Sequence, residues 1–170
     1  MNNVINKIVI TMVVISSMNF YGQNPSLSDE VIKDMKYMVE EEKLARDVYE
    51  FLDTTWGIRV FNNIKQSEQR HMEMMQSLLS TNHVEYDLSE ENGVFFNQEL
   101  QKMYNDLIAK GSISKYDALE VGKLIEVTDI KDLTDAIENT NDSNLITVYS
   151  NLLQASQNHL KAFERQLSKY

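Results

Sequence analysis

Apolar residues recur at steps of three and four along most of the chain, the spacing that keeps one face of an α-helix turned toward a core. Four long stripes result. The first runs Val31, Met35, Met38, Glu42, Ala45, Tyr49, Leu52, and the second Phe61, Ile64, Glu68, His71, Met75, Leu78. The third contains Leu119, Gly122 and Glu126; the fourth contains Leu145, Tyr149, Leu152, Ser156, His159 and Phe163. Each is interrupted near its middle by carboxylates or imidazoles.

Local punctuation gives the helix ends. Ser26-Leu-Ser28-Asp29-Glu30 offers an N-cap and an acidic first turn, so a helix starts near Asp29 and runs to about Trp56, where Gly57 supplies a left-handed stop. A second helix spans about Arg59 to Ser80. A long crossover over 81–114 follows, with a short helix from Gln98 to Ala109, capped by Asn97 and ended by Gly111. Ser114-x-x-Asp117 resembles a capping box and opens a third main helix to about Thr128. Another short helix is expected over Asp129–Glu138, and Ser143 caps a last one to about Ser168. Two helical hairpins joined by one long crossover give the connectivity of a ferritin-like four-helix bundle, here with two short extra helices.

Composition supports an all-α chain. It has 170 residues, no cysteine, five glycines, and Pro25 as its sole proline, so nothing beyond residue 25 is forced to break a helix. The length suits one domain, expected over 24–170. Absence of cysteine excludes disulfides, thiolate metal sites and cysteine catalysis. The net charge of -10, from 16 basic and 26 acidic residues, argues against sequence-independent nucleic-acid binding, which needs clustered Lys and Arg. Residues 1–23 combine Lys7 with the apolar run Ile8–Met18 and a polar exit. That run would rise only about 16 Å as a helix, short of the roughly 30 Å of a hydrocarbon core. It has the form of a secretory signal peptide, predicting export to a periplasmic or secreted location and no stable membrane insertion after cleavage.

The mid-stripe acids carry the functional question. An unpaired carboxylate in a core costs several kcal/mol, and converging carboxylates repel each other. Divalent cations would neutralise such a cluster, with imidazoles completing the ligands. Glu68-Gln-Arg-His71 places an acid and an imidazole on one helix face. Taken singly, these residues have ordinary readings: Glu-x-x-His is common on solvated faces, and Glu40-Glu41-Glu42 reads as surface charge. Placement at mid-stripe on four helices is what favours metal binding.

The residues also resemble a known family. Glu40-Glu-Glu-Lys-Leu-Ala-Arg-Asp-Val-Tyr49, Ser67-Glu-Gln-Arg-His-Met72, Gly93-Val-Phe-Phe-Asn97, Val121-Gly-Lys-Leu-Ile-Glu126, Asp129-Ile-Lys-Asp-Leu133 and Asn158-His-Leu-Lys-Ala-Phe163 stand in the order seen in the ferritin-like "domain of unknown function 2202" family. The resemblance covers about Met35 to Leu167. Glu42-x-x-Ala45-Arg46-x-x-Tyr49 also resembles the first metal-binding helix of rubrerythrin-type proteins, which selects Glu42 from its acidic run. The resemblance implies metal ligands Glu42, Glu68, His71, Glu126 and His159. Ser156-x-x-His159 stands where a second Glu-x-x-His is expected, so one bridging carboxylate is missing. A bridging hydroxide, or Asp129 three residues beyond Glu126 as an additional ligand candidate, would restore the charge balance.

Arg46, Asp47 and Tyr49 are candidates to support the ligands: Arg46 by holding a free oxygen of Glu42, or else merely in a surface pair; Asp47 by accepting a ligand histidine's ring N–H; and Tyr49 by donating to bound oxygen species, although packing with its hydroxyl satisfied is the simpler reading. Gly122, one turn before Glu126, either permits close helix contact or leaves room for a ligand. The methionines of His71-Met-Glu-Met-Met75 invite a copper reading, but only Met75 shares the stripe with His71, as core filler would. The acidic loop Glu85–Glu91, with His83, reads as a solvated crossover.

The leading expectation is therefore an exported protein binding one or two iron or manganese ions, with oxygen, peroxide or ferroxidase chemistry as the enzymatic reading; zinc fits the same ligands. A non-enzymatic metal-binding or storage module on the same fold, and a metal-free helical adaptor, stay open. Metal ions are the expected partners, and a homodimer is compatible with the sequence.

Overall fold

The computed structural model describes residues 27–170, so the proposed signal peptide lies outside the described residues. The described chain is all-helical: α1 (Asp29–Trp56), α2 (Arg59–Thr81), α3 (Gln98–Gly111), α4 (Lys115–Glu138) and α5 (Ser143–Leu167). None of these helices is long and apolar enough to cross a membrane.

The caps behave as their chemistry dictates. Ser28 accepts a hydrogen bond from Val31 N, and Asn97 and Ser114 cap α3 and α4 in the same way. Gly57 ends α1 at φ 62°, a left-handed conformation that glycine adopts without steric cost. The last helix is capped by Asp142 rather than Ser143, its carboxylate accepting from Asn144 N and Leu145 N. Gly111 is the last residue of α3 and not a left-handed stop; a Cβ there would lie 2.7 Å from Leu52 Cδ2, so its smallness serves packing.

One expected boundary is absent. Residues 115–138 form a single helix, leaving one short extra helix, α3, instead of two. Nothing between Thr128 and Asp132 breaks a helix. The Asp129 side chain, which could have capped a new start, is engaged by the Ser156 hydroxyl on α5.

Helices α1 and α2 form one hairpin and α4 and α5 another; α1 packs on α4, α2 on α5, and α3 lies against α1 and α4. The core falls into two apolar halves. One contains Leu44 to Leu52, Phe61, Ile64, Ile125 and Phe163, with Tyr49, Phe61 and Phe163 in mutual ring contact at 5.5–5.9 Å. The other contains Val31 to Val39, Met72 to Leu79, Leu133, and Leu145 to Leu152. On all four long helices the change from one half to the other occurs at the same level. Between them lies a buried polar layer.

Candidate metal centre

That layer is built from one or two residues of each long helix. Helix α1 contributes Glu42, α2 contributes Glu68 and His71, α4 contributes Glu126 and Asp129, and α5 contributes Ser156 and His159. All are buried except His159, whose side chain is 13% exposed. The structure thus brings together the five proposed ligands.

Glu68 occupies the middle. Its Oε2 is 2.8 Å from His71 Nδ1 and its Oε1 is 2.9 Å from His159 Nδ1. Glu42 Oε2 lies 3.4 Å from His71 Nδ1, and Glu126 Oε2 lies 3.5 Å from His159 Nδ1. The imidazoles lie nearly parallel, 5.7 Å apart. Two triads result, Glu42–Glu68–His71 and Glu68–Glu126–His159, each with ligand atoms within 4.8 Å of one another. Glu68 belongs to both and turns one oxygen to each.

These short separations are not satisfied hydrogen bonds. Glu68 Oε1, His71 Nδ1 and His159 Nδ1 are buried without a hydrogen-bond partner. Buried polar atoms are nearly always paired, so these three orphans, ranged on the two sides of Glu68, call for cations, protons or metals, between them. His71 Nε2 lies 3.3 Å from Ser67 Oγ. That contact suits an Nε2–H donating to the hydroxyl, so that once Nδ1 gives up its proton a lone pair faces the acids.

The field in the layer is strong. Burial raises the Glu42 and Glu126 carboxyls to about 7, His71 and His159 respectively offsetting part of the rise. Burial also opposes ionisation of Glu68, but the two histidines outweigh it and bring that carboxyl down to about 2. Desolvation lowers the imidazoles, yet the facing glutamates carry His71 up to about 10 and His159 up to about 9. Asp129 is pushed up by burial and then by Glu42, Glu41 and Glu126. Without a metal, protons do the work of counter-charge here.

Of the supporting candidates, Tyr49 lies in the layer. Its hydroxyl donates to Glu126 Oε1 at 2.6 Å, leaving Oε2 toward His159. Arg46 and Asp47 turn away from the layer. Arg46 pairs with Asp47 at 2.7 Å and donates to Gln69, rather than holding Glu42. Asp47 accepts from Lys43 Nζ at 2.6 Å and Gly93 N at 2.9 Å, rather than from a histidine. Both face the crossover. Gly122 serves close packing, since a Cβ there would fall 2.3 Å from Phe163 Cε1. Met75 is fully buried in the apolar half beyond the layer, as filler. His83 is exposed on the crossover.

The surface reading of the acidic run is overturned: Glu40, Glu41 and Glu42 are all buried, and so is Lys43. Glu40 accepts from Phe96 N at 2.7 Å and Asn97 N at 3.0 Å. Lys43 donates to the carbonyls of Glu91 and Val94 and lies 4.4 Å over the Phe95 ring. Glu40, Lys43 and Asp47 thus form a polar stripe at helical spacing that fastens the crossover to α1. That spacing was the available signal, although it is equally the signal of a solvated face.

Comparison with known proteins places the chain firmly. Residues 31–170 match the family described as "Uncharacterized protein domain (DUF2202)". Over 145 residues the chain is 41% identical to the uncharacterized protein MJ0754 of Methanocaldococcus jannaschii, covering 85% of this chain and 78% of that one. A crystal structure of the hypothetical protein MJ0754 superposes with a TM-score of 0.83, covering 85% of this chain and 83% of that chain at 41% identity.

Proposed function

The chain belongs to the DUF2202 family, and we propose that it binds two divalent transition-metal ions in the polar layer, in the manner of ferritin-like carboxylate proteins. The observation that carries this reading is the sharing of Glu68 between two ligand triads whose buried nitrogens lack hydrogen-bond partners. Charge supports the number two. Glu42, Glu68, Glu126 and Asp129 carry four negative charges when ionised, which two divalent cations cancel in a layer closed off by apolar halves. Asp129, from α4, supplies the carboxylate that Ser156 on α5 does not, and the Ser156 hydroxyl holds it in place.

Oxygen and imidazole donors without sulfur favour iron or manganese and also accept zinc. Bound iron or manganese would supply the electrons for reducing oxygen or peroxide. The chain's own residues prepare for that: Glu68 spans the two positions, Tyr49 holds one oxygen of Glu126, and Ser67 orients His71. Export through residues 1–23 is part of the same proposal, and N-terminal sequencing of the mature protein tests it.

Elemental analysis after native purification tests the centre. Wild type is expected to retain about two divalent ions per chain, and Glu68→Ala combined with His71→Ala to lose them. Equal metal content in the two proteins, both folded by circular dichroism, would sink the reading. Loading with Fe(II) in air separates catalysis from storage: sustained oxygen consumption marks the former, oxidation that stops at the bound iron the latter.

A further inference from the structure

Helix α4 carries an acid at every third position from the centre outward: Glu126, Asp129, Asp132, Asp135. A step of three residues advances a helix about 4.5 Å and turns it about 60° short of a full circle. Successive acids therefore wind from the core toward solvent. Exposure follows the winding, from 2% at Glu126 and 8% at Asp129 to 26% for the Asp132 side chain and 56% for that of Asp135. The outer pair opens into a cleft of ≈ 400 Å³ between α1 and α4, whose charged lining is Asp34, Glu99, Asp132, Asp135 and one base, Lys33.

Opposite this ladder stands Glu41 of α1. It is 5% exposed, its carboxyl lies against that of Asp132 and in the field of Asp129, and its Oε2 is buried with no hydrogen-bond partner. The counter-charge at this level is Lys131, which pairs with Asp132 and Asp135 from the solvent side and is 70% exposed. Its charge reaches Glu41 as well, but offsets only part of the rise that burial and Asp132 impose on that carboxyl. Two facing carboxylates with an unpaired oxygen, one on the rim of an acidic cleft and the other buried beside the proposed centre, suit a cation in transit.

We propose that Glu41 and Asp132 form an outer divalent-cation subsite, linked by Asp129 to the inner centre, through which metal ions pass from the cleft to Glu42, Glu68 and Glu126. This rests on the inner centre binding metal, but concerns different residues. Having two protein carboxylates and no imidazole, the outer subsite holds its ion more weakly than the triads and can release it inward.

The test uses full-length protein stripped of metal. Crystals soaked in Mn2+ are expected to show anomalous density between Glu41 and Asp132. Stopped-flow mixing with Co2+ reports inner loading through the visible absorption of imidazole-bound cobalt. Glu41→Gln and Asp132→Asn each keep side-chain shape, and are expected to slow loading about tenfold or more while final inner occupancy stays at the wild-type level. If wild type loads and both variants match its rate, with no outer manganese, the route is overturned alone; a proton shared by the pair would give that result. If wild type takes up no imidazole-bound cobalt, the inner centre is overturned and the route falls with it. Thermal melting of each variant confirms that slowed loading is read from a folded protein.

Discussion

Metal binding at the centre should expel protons, in a number the site's own titration sets. In the metal-free protein His71 stays protonated up to about pH 10 and His159 up to about pH 9, while Glu42 and Glu126 lose their protons near pH 7. A metal accepts only the unprotonated forms. At pH 8 the imidazoles account for about two protons displaced per chain; Glu42 and Glu126, about nine-tenths ionised, add little, and Asp129, also raised by burial, adds its own proton where that is still held. At pH 6 Glu42 and Glu126 are largely protonated as well, and displacement from these two carboxyls and the two imidazoles rises to about four. Apparent affinity therefore weakens as pH falls, and does so more steeply below pH 7. Isothermal titration of Zn2+ into stripped protein, in buffers of different protonation enthalpy, measures the count directly as the slope of observed heat against buffer heat. A slope near zero at pH 8 would refute the reasoning, because cations bound without displacing imidazole protons are bound elsewhere.

The metal-free protein should lose stability as pH rises. The raised histidines favour the fold fully below their ordinary pKa of 6.5 and cease to do so through about 9 and 10; Glu42 and Glu126 act in the same sense from 4.5 through about 7. Glu68, lowered to about 2, helps above 4.5 and is lost only as pH falls toward 2. A melting temperature of stripped protein that climbs between pH 5 and 9 would contradict this. Gly122→Ala forces the Phe163 ring from its place and should cost about 1–3 kcal/mol in urea denaturation; an unchanged midpoint would show that the ring moves freely. Lys43→Met removes the ammonium from a fully buried pair and should cost about 3 kcal/mol, with new protease cleavage in the crossover; wild-type resistance to cleavage would argue against the clamp. Tyr49→Phe keeps the aromatic trio but frees Glu126 Oε1, so metal affinity should fall about tenfold with the melting of the stripped protein little changed. Unaltered affinity would remove Tyr49 from the site.

The inward stripes were legible because a helix with one buried face writes that face into its sequence every three or four residues. The proposed ligands stood out for the same reason, as polar residues at positions where apolar ones belong. Glu40, Glu41 and Lys43 escaped because the stripe argument assigns each helix a single inner face, whereas α1 has neighbours on every side at this level. Asp47 pairs with Arg46 and Lys43, and what turns Arg46 and Asp47 away from the centre, Gln69 and the Gly93 amide, lies 23 and 46 residues away. No local pattern encodes those meetings. The supposed break before Asp129 failed on similar grounds: no proline or glycine stands there to stop the helix, and the Asp129 side chain is held by a serine on another helix.

The burial of Glu40 through Lys43 has a consequence for how this protein can change. Consecutive residues on a helix point about 100° apart, so these four side chains address different neighbours: the crossover, the acids of α4, the centre, and the crossover again. Their assignments are fixed by register alone. One residue inserted or deleted between Met38 and Val48 would rotate one end of α1 against the other and misdirect several of them together. The stretch from Asn82 to Ser89, fastened to α1 by none of these contacts, rests on the core through the half-buried Val84, Tyr86 and Leu88 and has no helical register to keep. Change in length should accumulate there, while α1 tolerates substitution at single positions but not a shift of frame.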